Sequence, residues 1–152
     1  MISGFSTRKR FADLSEQDIL ALAISSEEDD AHIYRLYASR LRDEYPQSAK
    51  IFDGMAAEED EHRASLVAMY QLRFGDTIPL IRREHVSGFY SRKPVWLVEN
   101  LGLDTMRAEA RDMERQAEAF YTKAAAKSAD ANTRNLLSRL AAAEAGHEKR
   151  AG

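Results

Sequence analysis

Apolar residues recur at helical spacing in four stretches of the chain. In the first stretch, a predicted helix over about 15–44, they lie three, four or seven residues apart, and they are Leu20, Ile24, Ala31, Tyr34, Ala38 and Leu41. Ser15 can cap this helix, because a serine oxygen accepts hydrogen bonds from the free N–H groups of a first turn. A second helix is predicted over about 47–73, with the stripe Phe52, Met55, Leu66, Met69 and Phe74. The short link between the two predicts antiparallel neighbours.

The helical pattern lapses for about thirty residues after Gly75, which predicts a long crossover with short helical turns. Two further helices are expected over about 104–127, capped by Asp104, and 130–150, capped by Asp130. Their apolar positions are Met106, Ala110, Met113, Ala117, Phe120 and Ala124 in the third helix and Leu137, Leu140 and Ala141 in the fourth. Helix pair, long crossover and helix pair form the topology of an all-α, ferritin-like four-helix bundle, which we expect as one domain over 1–152.

The composition of the chain excludes several classes of function. The chain has 22 Lys and Arg against 25 Asp and Glu, a net charge of -3, which argues against nucleic-acid binding. It has no cysteine, which removes disulfides, thiolate nucleophiles and cysteine-ligated metal sites. It also has no apolar run long enough to cross a bilayer and no signal-like opening, so we expect a soluble, unexported chain.

Polar groups interrupt every apolar stripe. Burying a charged side chain costs several kcal/mol unless it is paired or binds metal, so such interruptions indicate a site. Glu27 lies seven residues after Leu20 and seven before Tyr34, inside the apolar line of its helix. The six interrupting residues are Glu27, Glu59, His62, Glu114, Glu144 and His147.

Two of these interruptions have the form Glu-x-x-His, as EDEH at 59–62 and EAGH at 144–147. This spacing places a carboxylate and an imidazole on one helical face. The single Glu precedes the motif by 59 minus 27, or 32, residues in the first half and by 144 minus 114, or 30, in the second. Antiparallel packing then brings all six groups to one level. Such an arrangement matches the known signature of di-iron or di-manganese carboxylate bundles.

With these residues in place, the chain resembles the rubrerythrin-like, or erythrin, branch of the ferritin-like superfamily, and the segment EEDDAHIYRLYA at 27–38 looks like that family's first ligand helix. It resembles most closely the N-terminal domain of membrane-bound ferritin, the erythrin–vacuolar iron transporter fusion. The resemblance implies a homodimeric, cytoplasmic di-iron domain at the inner face of the inner membrane, fused at its C-terminal end to a transporter that exports iron. We therefore expect two iron ions per bundle and a chain that is one piece of such a fusion.

Two features depart from the family pattern. Rubrerythrins usually carry a second acid on the third helix, three residues from the first, but here that position is Ala117. Glu118 can substitute as a ligand or be a solvated neighbour. Rubrerythrins also use a cysteine-rich module to deliver electrons, and this chain has no cysteine for one. Any reductant must come from elsewhere, and iron itself can serve.

Some polar residues are better interpreted as surface. In the acidic run 27–30 only Glu27 is in register with Tyr34, so we assign Glu28, Asp29 and Asp30 to a solvated face. His32 lies about 140° round the helix from Glu27 and is also assigned to the surface. The crossover cations Arg82, Arg83, Arg92 and Lys93 can face a partner or anionic lipid, although exposed arginines are common.

Three interpretations of the six inward groups remain. The first is Fe(II) oxidation by O2 or peroxide, a ferroxidase-like or peroxidase-like activity in which Tyr34 is the candidate catalytic tyrosine. The second is iron capture or sensing for an attached transporter, without important catalysis. The third is a metal-free bundle whose inward groups form salt bridges, such as Glu114 with a nearby arginine. Manganese or zinc can replace iron in any carboxylate and imidazole site.

Overall fold

The computed structural model describes residues 9–87 and 102–151, and the side chains of 9–86 and 102–146. Within these residues the long helices are α1 (Glu16–Leu41), α2 (Pro46–Phe74), α3 (Leu103–Lys127) and α4 (Ala131–Ala151). Pro46 is the first residue of α2, where its missing N–H costs no hydrogen bond. The predicted all-α bundle, with one crossover between two helix pairs, is confirmed. Among the described helices, none is both long enough and apolar enough to span a membrane.

The helices pack as two antiparallel pairs. Helix α1 lies along α2 and α3 along α4, and the pairs meet through α1 with α3 and α2 with α4. Three ion pairs bridge the outer side of the α1–α2 seam: Glu28–Arg63, Arg35–Asp60 and Arg42–Asp53. Their residue numbers rise along α1 and fall along α2, which is the register of an antiparallel pair.

Two of the three predicted helix caps are present. The Ser15 hydroxyl accepts from the N–H of Asp18, whose carboxylate accepts from the N–H of Ser15, a reciprocal capping box. Asp130 accepts from the N–H of Thr133 at the start of α4. The prediction for Asp104 is wrong, because Gly102 precedes α3 and Asp104 lies within its first turn.

The described part of the crossover is tied to α1 and to the N-terminal segment. It contains a 3-10 turn at Arg83–His85, followed by β2 (Val86–Ser87), which pairs in parallel with β1 (Lys9–Arg10). The surface assignment of the crossover cations is wrong for Arg83, which is buried. Arg82 is partly exposed and pairs with Asp29 at 3.5 Å. Arg92 and Lys93 lie outside the described residues.

Among the residues that the structure describes, the hydrophobic core forms two clusters. One joins Ile19 to Ile24 of α1 with Leu66, Phe120 and Leu137, and the other joins Ile33 to Leu41 with Phe52 and Met113. On α1 the gap between them contains Glu27, and on α2 it contains Glu59. A polar layer therefore crosses the bundle between the clusters.

Candidate metal centre

Four of the six predicted site residues meet in the polar layer. Ligand atoms of Glu27, Glu59, His62 and Glu144 all lie within 4.8 Å of one another. The glutamates are 2%, 0% and 0% exposed, respectively. The four groups come from α1, α2 and α4, so the centre forms only when both helix pairs are assembled.

The His62 imidazole lies among three carboxylates. Its Nδ1 is 3.3 Å from Glu144 Oε1, 3.7 Å from Glu27 Oε2 and 3.9 Å from Glu59 Oε1. Glu59 and His62 are one helical turn apart on α2, which is why the Glu-x-x-His spacing places them together. The His62 side chain is 13% exposed, so the cluster approaches solvent on this side.

Glu114 is buried in the same layer but is not one of the four groups within 4.8 Å. Its Oε1 accepts a hydrogen bond from Tyr34. Of the nearby arginines that could pair with it, Arg107 donates to Ser48 Oγ at 3.3 Å and Arg115 pairs with Asp112 at 3.4 Å. The bond from Tyr34 ties Glu114 to the opposite helix pair.

The remaining candidate ligands occupy different positions. His147 is in α4, three residues after Glu144, and its side chain lies outside the described residues. Glu118 is partly exposed on α3 and is not one of the four clustered groups. Whether either residue binds metal stays a prediction.

Two tyrosines hold the ligand layer from opposite helices. Tyr34 of α1 donates to Glu114 of α3, and Tyr121 of α3 donates to Glu27 of α1. Each tyrosine follows its own helix's glutamate by seven residues, 34 minus 27 and 121 minus 114. Both are buried, as expected for core tyrosines with satisfied hydroxyls, and Tyr121 has the same relation to the layer as Tyr34.

Burial and like charges control protonation in the layer. Burial raises the pKa of Glu59 well above its usual 4.5, and the charges of Glu27 and Glu144 raise it further. Burial also raises the pKa of Glu144, assisted by a hydrogen bond with Glu114 and by the charge of Glu27. Without cations these carboxyls therefore tend to hold protons, and divalent ions would replace those protons.

The donor set fits a hard or borderline divalent cation. Three carboxylates and an imidazole suit Fe(II), Mn(II) or Zn(II). Glu27 Oε2 is buried and makes no hydrogen bond with any described residue. A buried carboxylate oxygen in that state is costly to the fold, and a bound cation removes the cost.

Sequence reasoning missed a buried ion pair beside the layer. Asp30, which we assigned to the surface, is buried and accepts a hydrogen bond from Arg83 Nη2 at 2.6 Å. The sequence does contain one signal for it, because Asp30 lies three residues after Glu27 and four before Tyr34, on the inward face of α1. Its partner comes from the crossover, where no helical pattern marks it.

Comparison with known proteins bears on the family. A protein-family model described as Rubrerythrin matches residues 18–152. A solved structure described as a hypothetical protein from Pyrococcus furiosus is similar, with a TM-score of 0.71 and 22% sequence identity over 93% of this chain and 88% of that one. At that identity the likeness shows the fold alone. Among curated proteins, none matches the sequence.

Proposed function

We infer the function from one premise: this chain belongs to the rubrerythrin family. We propose that its bundle binds two iron ions in the polar layer and oxidises Fe(II) with O2 or peroxide. The observation that carries the proposal is the meeting of Glu27, Glu59, His62 and Glu144 within 4.8 Å in the interior. A divalent cation bound by these four groups would take the place of the protons that the buried carboxyls otherwise hold.

The charges balance for two divalent ions. The four carboxylates Glu27, Glu59, Glu114 and Glu144 contribute four negative charges when ionised, which equals the charge of two divalent cations. We propose these residues, with His62 and His147, as the ligands, and Glu118 as a neighbour that does not bind. Iron rather than manganese or zinc is proposed from the family.

When bound, two Fe(II) ions supply two electrons, which with two protons reduce one peroxide to two water molecules. The chain's own residues would bind the ions, exclude water, and release protons as the ions bind. Glu59 and Glu144 lose their protons to solvent or to the oxidant when cations bind, because the raised pKa of each belongs to the metal-free state. Tyr34 orients Glu114 through its hydroxyl, so we assign it a positioning role.

The electron source distinguishes this chain from the usual family pattern. It has no cysteine with which to form an electron-delivering module. We propose iron itself as the consumed reductant, which would make the activity ferroxidase-like. A capture or sensing role, in which iron is bound but not turned over, is the competing function, and turnover decides between them.

We propose the cellular setting from the sequence resemblance. The segment at 27–38 and the helical order look like those of the cytoplasmic domain of membrane-bound ferritin. The chain would then act as a homodimer on the cytoplasmic side of the inner membrane, passing iron to a transporter domain that follows it.

The test is anaerobic Fe(II) titration of the metal-free chain, followed by one addition of peroxide with absorbance recorded. We expect two ions per chain and oxidation faster than that of free iron. Glu59→Ala should abolish both, while Glu61→Ala, a change at an exposed neighbour, should leave both intact. Tight binding without faster oxidation would favour capture, and no binding would overturn the metal centre.

A further inference from the structure

The two halves of the bundle differ at one buried position beside the ligand layer. Glu27 of α1 and Glu114 of α3 correspond in the two halves. Three residues later the first half has Asp30, and the second has Ala117. Both positions are buried. The first half therefore carries one more inward carboxylate than the internal repeat requires.

Arg83 of the crossover holds that extra carboxylate. Its Nη2 donates to Asp30 Oδ1 at 2.6 Å and to the carbonyl oxygen of Ser26 at 2.7 Å. The side chains of Arg83 and Asp30 are 5% and 6% exposed. A buried ion pair is seldom retained for stability alone, because desolvation offsets most of its attraction.

The pair is attached to the turn that presents Glu27. Ser26 immediately precedes Glu27, and Asp30 follows Glu27 by three residues, which is less than one helical turn. Ser25 Oγ donates to the carbonyl oxygen of Ile81 at 2.5 Å, a second bond from the crossover to the same turn. The crossover thus brings a cation to the middle of α1, beside Glu27.

Asp30 also acts electrostatically on the layer. Its charge contributes to the raised pKa of Glu144, after burial and the effects of Glu114 and Glu27. It contributes to the raised pKa of Tyr34 as well, after burial and the charge of Glu114. Changing the charge at Asp30 or Arg83 must therefore change the potential at the ligands.

We propose that Asp30 and Arg83 form a charge-tuning pair for the metal centre, in which Asp30 strengthens cation binding and Arg83 limits it. The proposal rests on the proposed function, since it requires cations in the layer. The intact pair adds no net charge to four carboxylates and two divalent ions. Arg83 Nε also lies 3.8 Å from Asp29 Oδ2. Removing the charge of Asp30 or of Arg83 therefore changes the net charge beside the layer by one unit, in opposite directions in the two cases.

The test measures Mn(II) affinity of the full chain, because Mn(II) does not turn over under anaerobic conditions. Asp30→Asn removes one negative charge beside the layer and should weaken Mn(II) binding by about tenfold or more, because charges in a protein interior act through a low dielectric constant. Arg83→Met should bind Mn(II) at least as tightly as the unmodified chain. The double variant should return to within about threefold of it.

Control variants distinguish an electrostatic effect on Mn(II) affinity from a defect in folding. The exposed pair of Arg42, directly after α1, and Asp53 of α2 is the control, and Arg42→Met and Asp53→Asn should leave Mn(II) affinity unchanged. Melting temperatures of the metal-free variants show whether each is folded. If Arg83→Met does not fold, Arg83→Lys replaces it, and its retained charge should keep affinity near that of the unmodified chain while Asp30→Asn remains weak.

Three results would contradict the charge-tuning proposal, and each can be told from the others. Equal weakening by Asp30→Asn and Arg83→Met, with no recovery in the double variant, would show a purely structural pair. Unchanged affinity in Asp30→Asn would also overturn tuning. An unmodified chain that binds no Mn(II) and no Fe(II) would overturn the proposed function and the tuning role together.

Discussion

The hydroxyl of Tyr34 on α1 donates a hydrogen bond across the bundle to the carboxylate of Glu114 on α3. The reverse bond, from Tyr121 on α3 to Glu27 on α1, repeats the relation with the helices exchanged. Each helix therefore supplies both a glutamate to the layer and the hydroxyl that orients its partner's glutamate.

Replacing either tyrosine by phenylalanine should lower the free energy of unfolding, although the ring still fills its place in the core. Tyr34→Phe and Tyr121→Phe each retain the ring but remove a hydrogen bond to a buried carboxyl, a loss of about 1–3 kcal/mol in the free energy of unfolding. Urea unfolding of the metal-free protein measures this loss. Tyr45→Phe is the control, because Tyr45 is 44% exposed. Equal stability of all three variants would contradict the bracing role.

Glu114 and Glu118 should differ sharply as ligands. Glu114→Gln removes a buried carboxylate from the layer and should reduce Fe(II) affinity by about tenfold or more. Glu118→Gln changes a partly exposed residue outside the four-group cluster and should have no effect. Anaerobic titration of both variants measures this difference. An equal loss in Glu118→Gln would add it to the ligands.

The metal-free protein should lose stability as the pH rises. The pKa of Glu59 is raised in the fold by burial and like charges, so the folded state binds more protons than the unfolded state above the ordinary value of 4.5. The linkage relation then makes the unfolding free energy fall from about pH 4.5 up to the folded pKa and stay level above it. Urea unfolding at a series of pH values, with chelator present, measures the slope.

Glu59→Gln should reduce that slope, because glutamine mimics the protonated carboxyl at every pH, and Glu144, whose pKa is also raised, should account for the part that is left. Added Mn(II) should stabilise the unmodified chain increasingly as the pH rises, since cation binding displaces protons. Glu61→Gln, at an exposed position, should behave like the unmodified chain. A slope that is unchanged in Glu59→Gln would assign the proton uptake to another group.

The ion-pair network around Glu16, at one end of the bundle, should make the free energy of unfolding rise with pH, which is opposite to the effect of Glu59. Burial raises the pKa of Glu16, but Arg73 and the N–H groups of Asp130 and Ala129 outweigh it, and the pKa is lowered overall. Its contribution is present above the ordinary pKa of 4.5 and is lost as the pH falls through the lowered value. Glu16→Gln should cost about 1 kcal/mol at pH 7, and the cost should shrink as the pH falls through the lowered pKa, measured against Glu44→Gln.

Helical periodicity accounts for most of what could be predicted. The inward positions of Glu27, Glu59, Glu114 and Glu144 follow from their register with apolar neighbours, and all four are buried. The Glu-x-x-His spacing likewise predicted that His62 would adjoin Glu59. These features are local, so one helix at a time was enough to derive them.

Features that depend on packing between segments could not be derived in this way. The sequence does not give the rotation of α1 against α3, so the partner of Tyr121 was not predicted. Asp30 was hidden in an acidic run, and Arg83 approaches it from a crossover without periodicity. Asp104 is not the cap of α3, because the cap position is Gly102, two residues earlier.

The polar layer divides the apolar interior into two clusters, which has a consequence for motion. Each end of the bundle has its own apolar contacts, so either end can open briefly while the other stays closed. In the metal-free chain we expect hydrogen exchange at the two ends to be poorly correlated, because the buried carboxyls of the layer separate the two apolar clusters. Cations bound in the layer would link the two ends, so that they open together. Iron binding would therefore change the local opening of the protein even before any iron is oxidised.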